Sequence, residues 1–330
     1  MKIMIAGLGS IGRRHLRNLL ALGERDILLY RSHKSTLPAD ELEDFPTETN
    51  LEEALARAPQ AVIISNPTAL HIEVALAAAK AGCHLLIEKP ISHSLERVDE
   101  LCEVVRANNV KVLVGFQFRF HAALRQVKLW LQEGAVGDLI AVRAHYGDYL
   151  PGWHPWEDYH QAYSARADLG GGVILTLSHP LDYMRWLIGE VQALWAFTTR
   201  QKDLSIEVED TAEIGLKFFN GVIGSVHLNY LQRPSSHSAM FVGSEGVIRW
   251  SYDSCEARLQ KASVPEKIFS QKLDDIRNPM FMEEMRHFLQ VLRGEEMPLC
   301  TLEDGVHALE LALAALRSAA EGRLITFDRL

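Results

Sequence analysis

The stretch that decides the fold is residues 1–22, MKIMIAGLGSIGRRHLRNLLAL. Residues 3–6 form a short apolar run typical of a buried strand, and residues 13–22 carry apolar side chains at helical spacing. Between them, Gly7, Gly9 and Gly12 form a G-x-G-x-x-G pattern. In that context Gly7 permits a tight turn, Gly9 lets a pyrophosphate approach the backbone, and Gly12 lets helix and strand pack closely. An ordinary glycine turn is the alternative, but the flanking strand and helix favour dinucleotide binding.

The second predicted strand, residues 27–30, ends without the acidic residue that would bind a ribose 2′-hydroxyl. It continues into Arg31, Ser32, His33 and Lys34. An aspartate there would repel the 2′-phosphate of NADP, whereas a guanidinium and a hydroxyl can bind it. We therefore expect NADP to be preferred, with NAD as the alternative. On the competing interpretation, these charges are simply solvated in a loop.

Composition limits the classes of function. The chain has 330 residues, a formal net charge of −9, and no basic stripe, which argues against nucleic-acid binding. Its four cysteines are scattered, so neither a disulfide framework nor a metal site is expected. No apolar run is long enough to span a membrane, and no signal peptide precedes the first strand. These features predict a cytoplasmic protein that binds neither membrane nor nucleic acid.

Alternating strand and helix patterns continue to about residue 119, with further strands predicted at 61–64, 83–87 and 110–114. Such alternation predicts an α/β domain, a Rossmann-type doubly wound parallel sheet over residues 1–119. Ligands of these sheets bind at the carboxyl ends of the strands. We therefore expect one cleft lined by the glycine turn, Arg31, and the segments 65–68, 88–90 and 115–119.

The pattern changes beyond residue 120. Segments 139–146, 193–199, 211–219 and 222–230 alternate with period two, and Asn220-Gly221 is a strong hairpin signal. We therefore expect residues 120–330 to form an α+β domain with a large, open, mainly antiparallel sheet. Assembly into a homodimer or homotetramer should cover its open face, where we expect these apolar residues: Leu194, Phe197, Ile223 and Val226.

Two residues are candidates for proton and charge chemistry. Lys89 lies between Glu88 and Pro90 at a strand end, where an ammonium can polarise a substrate oxygen. His179 lies in a helix predicted over residues 172–187, and its near-neutral pKa suits alcohol–carbonyl proton exchange. An exposed lysine and a structural histidine are the simpler alternatives. The preceding glycines 170–172 and Asp182, three residues on, favour the functional interpretation.

A dense aromatic and polar loop precedes that helix. Flat rings and hydrogen-bonding groups of this kind suit the faces and hydroxyls of a carbohydrate. A packed surface loop and a metal site are the alternatives, and the irregular spacing disfavours the metal. The loop residues are Trp153, His154, Trp156, Asp158, Tyr159, His160 and Tyr163.

Several of these motifs together resemble the glucose–fructose oxidoreductase and inositol dehydrogenase family (Gfo/Idh/MocA) over essentially the whole chain. The matching motifs are Gly7–Gly12, Asn66-Pro67 with His71, Glu88-Lys89-Pro90, Gly115-Phe116-Gln117 with Arg119, Gly170-Gly171-Gly172 and His179-Pro180-Leu181-Asp182. The resemblance implies a nucleotide-binding domain followed by an open sheet that often mediates assembly. It also implies oxidation or reduction of sugars or cyclitols by NAD(P), with Lys89 and His179 at the reacting carbon.

On this resemblance and the positions above, two sets of binding residues are expected. The cofactor set is Gly7, Gly9, Ser10, Ile11, Gly12, Arg31, Ser32, Ser65, Asn66, Pro67, His71, Glu88, Lys89 and Gln117. The substrate set is Lys89, Arg119, Trp153, His154, Tyr159, Tyr163, Arg166, Thr176 and His179.

One departure from the family pattern concerns proton transfer. The family commonly has an aspartate three or four residues before the histidine, whereas this chain has Thr176 and Leu175 there. A threonine cannot supply a negative charge to His179. The leading interpretation is an NAD(P)-dependent oxidoreductase acting on a sugar, nucleotide sugar or cyclitol. The alternatives are a sensor or scaffold that has lost catalysis, and a hydrolase or isomerase that recycles bound NAD(P).

Overall fold

The computed structural model describes residues 1–32, 37, 40–271 and 277–328. His33 and Lys34, from the predicted NADP-binding stretch, lie outside the described residues. The chain folds into two compact units. The first comprises Met1–Phe116, Asp168–Gly170 and Phe281–Leu309, and the second comprises Gln117–Ala167, Gly171–Met280 and Glu310–Leu330.

The first unit contains a six-stranded parallel sheet in its described part. The strands are β1 Ile3–Ala6, β2 Ile27–Tyr30, β3 Thr47–Glu48, β4 Ala61–Ile64, β5 His84–Glu88 and β6 Val112–Gly115. Their order is β3-β2-β1-β4-β5-β6, so the strand order reverses between β1 and β4. Strands β1 and β4 are wholly buried, as the continuous apolar runs predicted. The doubly wound sheet is therefore confirmed.

Helices connect these strands. They are α1 Ser10–Ala21, α2 Leu51–Ala56, α3 His71–Lys80 and α4 Val98–Ala107. Asn50 caps α2, since its side chain accepts hydrogen bonds from the N–H groups of Glu52 and Glu53.

The remaining helices differ from prediction at one point. They are α5 Ala122–Gln132, α6 Val173–Thr176, α7 His179–Ile188, α8 Asn278–Arg293 and α9 Leu302–Glu321. The single helix predicted over residues 172–187 is wrong, because it is interrupted at Leu177 and Ser178. Pro180 has no N–H group and is favoured in the first helical turn. His179 is consequently the first residue of α7 and does not lie mid-helix.

The second unit contains the predicted mainly antiparallel sheet, with nine strands in the described residues. They are β7 Leu139–Tyr149, β8 Val191–Thr199, β9 Thr211–Phe218, β10 Ile223–Asn229, β11 Leu231–Gly243, β12 Gly246–Ser251, β13 Glu256–Lys261, β14 Val264–Ser270 and β15 Ile325–Thr326. Their order is β14-β13-β12-β11-β7-β10-β9-β8-β15, and the pair β7–β10 is parallel. The hairpin at Asn220-Gly221 joins β9 to β10, as predicted.

Only half of the apolar residues predicted on the open face of this sheet are exposed. Phe197 and Ile223 are 69% and 58% exposed, whereas Leu194 and Val226 are fully buried. Each exposed residue is separated from its buried counterpart by three positions, and an odd separation places two residues on opposite faces of a strand. The prediction for Leu194 and Val226 is therefore wrong. Trp195 is also largely exposed, and its ring packs edge-on against that of Phe197.

Among the described residues, no helix has the length and apolar character needed to cross a membrane.

Candidate active site

The glycine turn of the first unit leaves room for a ligand. Gly7 has φ +95°, and a Cβ atom there would lie 2.5 Å from the Asn66 nitrogen. A Cβ on Gly12 would lie 2.0 Å from the Gly7 carbonyl oxygen. At Gly9, by contrast, no atom of the described residues lies within 4 Å of the Cβ position. Because α1 begins at Ser10 without a side-chain cap, the first N–H groups of this helix, including that of Ile11, fit the pyrophosphate of a dinucleotide.

The segment after β4 holds this turn in place. The Ser65 hydroxyl lies 2.9 Å from the Gly7 carbonyl oxygen and 3.2 Å from that of Ala6. Pro67 follows Asn66 and precedes a short 3₁₀ turn. The Oδ1 atom of Asn66 is buried without a hydrogen-bond partner in the described part of the chain, so it is available to a ligand.

His71 joins two strand-end segments of the first unit. Its Nδ1 lies 2.9 Å from the Pro90 carbonyl oxygen, and its Nε2 lies 2.8 Å from that of Asn66. Burial lowers the pKa of His71, while the two carbonyl groups act in the opposite direction. Since both ring nitrogens lie within hydrogen-bond distance of main-chain carbonyl oxygens, His71 links these two segments, and its contact with a cofactor stays a prediction.

The carboxyl group of Glu88 belongs to a buried acid–base cluster. His15 Nε2 lies 2.7 Å from Glu88 Oε1, and His15 is fully buried. Glu284 is also fully buried, and neither of its carboxyl oxygens has a hydrogen-bond partner among the described residues. Burial, and then the charge of Glu88, hold the pKa of Glu284 well above its usual value. Lys89, the next residue after Glu88, is half-buried.

No sequence motif points to His15 or Glu284. His15 follows the glycine turn within α1, and Glu284 lies in α8, far along the chain. Nothing in the spacing of these residues indicates that they meet Glu88. Only the tertiary fold of the first unit brings them together.

Arg31 follows β2, and one of its hydrogen-bond donors is available to a ligand. Its side chain is half-buried, and its Nε has no hydrogen-bond partner within the described ranges. Ser32 is exposed. A half-buried guanidinium and an exposed hydroxyl can bind an anionic group at the adenosine end of a dinucleotide.

In the second unit, His179 is held by two residues that precede α5. The Gln117 side-chain nitrogen lies 3.2 Å from His179 Nε2, and both residues are buried. The Phe118 ring contacts the imidazole edge-on at 4.7 Å between centroids. Gln117, expected as a cofactor ligand, therefore contacts the candidate proton carrier.

Arg119 does not fit its predicted role as a substrate ligand. Its guanidinium forms two hydrogen bonds to the Asp182 carboxylate, at 2.6 and 3.0 Å. Arg119 and Asp182 are 2% and 1% exposed. Asp182, which the sequence suggested as support for His179, therefore pairs with Arg119. A buried bidentate pair of this kind fixes α7 and has little capacity for a ligand.

Thr176, another predicted substrate ligand, is also buried. It is 3% exposed. The Tyr230 hydroxyl donates to the carbonyl oxygen of Gly172, the residue before α6, at 2.9 Å. Thr176 therefore belongs to the packing around α6.

The aromatic loop is irregular, with short 3₁₀ turns at Tyr159–Gln161 and Tyr163–Ala165. His154 pairs with Glu157, and the Tyr159 hydroxyl donates to the Leu204 carbonyl oxygen at 3.0 Å. Trp153 packs edge-on against Tyr230, and its buried Nε1 has no partner in the described structure. Tyr163 is half-buried, as is Arg166. In the ranges that the structure describes, no three His, Cys, Asp or Glu residues are grouped to hold a metal ion.

Comparison with known proteins identifies the family. Residues 1–116 match the model described as "Oxidoreductase family, NAD-binding Rossmann fold", and residues 124–249 match the GFO/IDH/MocA C-terminal domain. The chain is 27% identical to myo-inositol 2-dehydrogenase from Thermotoga maritima over 352 aligned positions, covering 100% of this chain and 99% of that protein. It is 28% identical to 1,5-anhydro-D-fructose reductase from Ensifer adhaerens, covering 80% of this chain and 78% of that protein.

A solved structure of levoglucosan dehydrogenase, in complex with NADH and levoglucosan, has the same fold. It superposes with a TM-score of 0.87 at 20% identity and covers 100% of both chains. The resemblance inferred from the sequence is therefore confirmed over both units. This chain belongs to the GFO/IDH/MocA family of NAD-binding oxidoreductases.

Proposed function

We propose that this enzyme transfers hydride between NAD(P) and one hydroxyl or carbonyl carbon of a sugar, nucleotide sugar or cyclitol. The relatives named above act on a cyclitol and on an anhydro sugar, as their names state. The observation that carries the proposal is His179, a buried imidazole at the start of α7 whose Nε2 lies 3.2 Å from the side-chain amide nitrogen of Gln117. A neutral imidazole is a suitable proton carrier near pH 7.

The cofactor would be held by the glycine turn, by Asn66, and at its adenosine end by Arg31 and Ser32. When bound, the nicotinamide supplies the acceptor or donor of hydride. We propose that NADP is preferred, because the buried Nε of Arg31 has no hydrogen-bond partner among the described residues and no acidic residue ends β2. A charge-assisted contact to a 2′-phosphate is stronger than one to a neutral hydroxyl.

Lys89 and His179 have different roles in this proposal. The Lys89 ammonium polarises the oxygen at the reacting carbon and stabilises the negative charge that develops there. His179 takes the hydroxyl proton in oxidation and returns it in reduction. Gln117 donates its amide N–H to Nε2, which requires that nitrogen to be unprotonated. The neutral ring then carries its proton on Nδ1, and in this proposal the substrate hydroxyl proton goes to Nε2, where it replaces the hydrogen bond from Gln117.

The test is a turnover screen. Purified protein is mixed with NADP(H) or NAD(H) and a panel of sugars, nucleotide sugars and cyclitols, and the absorbance of the reduced nicotinamide is followed. We expect steady turnover with at least one class of substrate. Tight cofactor binding without turnover would support the sensor alternative, and product formation without net cofactor change would support the recycling alternative. Nothing in the described residues favours either alternative.

We further propose that the open sheet face mediates a homodimer or homotetramer. Phe197, Ile223 and Trp195 are exposed there, and a second copy would remove them from water. Sedimentation at micromolar concentration should show a dimer or tetramer, and Phe197→Asp should shift it toward monomer. A monomeric unmutated protein would rule the proposal out.

A further inference from the structure

Glu209 is an acidic residue that the sequence motifs do not single out, yet it holds the start of α6. Its Oε1 accepts a hydrogen bond from the Ile174 N–H at 3.1 Å. Its main-chain carbonyl accepts another from the Val173 N–H at 3.0 Å. One residue thus satisfies the first two N–H groups of the helix, through its side chain and its main chain.

The space for this carboxyl group exists because residue 172 is glycine. Gly172 has φ +107°, a conformation that other residues rarely adopt. A Cβ there would lie 2.5 and 2.6 Å from the two carboxyl oxygens of Glu209. Any side chain at position 172 would therefore displace the acid.

Tyr230 holds the same helix by other atoms. Its fully buried hydroxyl donates to the carbonyl oxygen of Gly172, the residue before α6, at 2.9 Å. Glu209 and Tyr230 therefore both hold the start of this single helical turn. Three residues after the turn ends at Thr176, α7 begins at His179.

We infer that Glu209 is a positioning residue for His179, acting on the imidazole through the helical turn Val173–Thr176. The inference rests on the proton-carrying role proposed above for His179. The carboxyl group of Glu209 would thus support the candidate base although the two residues are far apart in the sequence.

The ionisation of Glu209 makes this role measurable. Burial raises the pKa of Glu209 to about 7, with a further contribution from Asp210, while the hydrogen bond from Ile174 opposes the rise. Asp210 itself accepts hydrogen bonds from the Gln201 N–H and the Thr211 hydroxyl. Tyr230, the other titratable neighbour, stays neutral because burial holds its pKa well above its usual value. Above pH 7 the charged carboxylate should hold the helix start more firmly than the neutral acid does.

The test compares the unmutated enzyme with Glu209→Gln and with the control Glu207→Gln. Glutamine keeps the size and the acceptor oxygen of Glu209 but cannot ionise, whereas Glu207 is exposed two residues away. In pH–rate profiles, we expect Glu209→Gln to lose a limb near pH 7 and to lower kcat by about three- to thirtyfold, the range of a charge at a helix terminus. KM should change little, and Glu207→Gln should match the unmutated enzyme. An unchanged profile for Glu209→Gln would overturn the inference.

A second measurement does not depend on turnover. In NMR titrations between about pH 5 and 9, the Ile174 amide signal should move with a midpoint near 7, and this step should vanish in Glu209→Gln. The ring signals of His179, identified by their loss in His179→Asn, should differ between unmutated protein and Glu209→Gln. Identical His179 signals would reduce Glu209 to a structural cap, even if no sugar is ever turned over.

If Glu209→Gln does not fold, Tyr230→Phe tests the same connection from the other side. It removes only the hydroxyl that donates to the Gly172 carbonyl oxygen. We expect faster hydrogen exchange at residues 174–177 and shifted His179 ring signals. Unshifted His179 signals in a folded Tyr230→Phe protein would contradict the inference.

Discussion

Two glycine-rich turns start helices in this chain, and they differ in what occupies the space left by the missing side chains. At Gly9, ahead of α1, the described part of the chain has no atom within 4 Å of the Cβ position. At Gly172, ahead of α6, the Glu209 carboxyl group fills that position at 2.5 Å. The first turn is open to a ligand, whereas the second is closed by an acid of the protein itself.

The difference shows that a glycine run does not reveal its purpose by composition alone. In the first turn, Gly7 and Gly12 are tight against the backbone while Gly9 is free, and that contrast marks the phosphate-binding cradle. In the second, Glu209 lies 35 residues beyond Ile174, so its partnership depends on the fold. The open turn should govern cofactor binding, and the closed turn should govern the chemistry of His179.

The largest expected effect comes from removing the proton carrier. This change should separate cofactor binding from the chemistry of His179. His179→Ala should lower turnover by about two to four powers of ten, the range for a positioned acid–base group. Its affinity for NADP(H), measured by calorimetry, should be nearly unchanged. Lys89→Ala should lose activity over the same range. Wild-type turnover in His179→Ala would show that the histidine is structural.

Closing the second turn further should destabilise the protein. Gly172→Ala places a Cβ against the Glu209 carboxyl oxygens in a strained conformation, and we expect a loss of about 3 kcal/mol in the free energy of unfolding. Urea unfolding measures the loss. Gly189→Ala is a matched control for the backbone strain, because Gly189 also has positive φ but has no atom within 4 Å of its Cβ position. Equal losses for both variants would show that the Glu209 contact contributes nothing.

Whether a feature of these turns could be predicted depends on how far apart its interacting residues lie along the chain. The Rossmann sheet and its open turn depend on neighbours within about twenty residues, as in the run from β1 through Gly12. The break before His179 is also local, since Pro180 determines it, but the helical spacing of apolar residues hid it. The burial of Arg119 against Asp182, and the place of Glu209, depend on distant segments. No pattern of residue types reports them.

Changing Arg31, at the proposed adenosine end of the cofactor site, should reverse the preference between NADP(H) and NAD(H). Arg31→Asp replaces a cation with an anion, and we expect NADP(H) binding to weaken by about 1.5–3 kcal/mol, the range for a hydrogen bond to a charged group. NAD(H) should then bind more tightly than NADP(H). Calorimetric titration of both cofactors with both proteins measures this. Equal affinities in the unmutated protein would remove the basis for the predicted preference.

The smallest expected effect fills the open turn. Gly9 has an ordinary negative φ, so Gly9→Ala should leave the melting temperature within a degree or so of the unmutated value. NADP(H) affinity should fall by about tenfold, or roughly 1.4 kcal/mol, because the methyl group occupies the phosphate cradle. Unchanged affinity would mean that the pyrophosphate does not approach Gly9.

The central claim, hydride transfer to a carbohydrate carbon, is tested most directly with deuterium. The enzyme is supplied with the reduced nicotinamide cofactor carrying deuterium at both C4 positions and with the carbonyl form of whichever sugar or cyclitol supports turnover, and the product is analysed by mass spectrometry. The account predicts one deuterium on the carbon that bears the new hydroxyl, and a rate that falls by at least about a hundredfold in His179→Ala. Product without deuterium, formed at the normal rate, would contradict it.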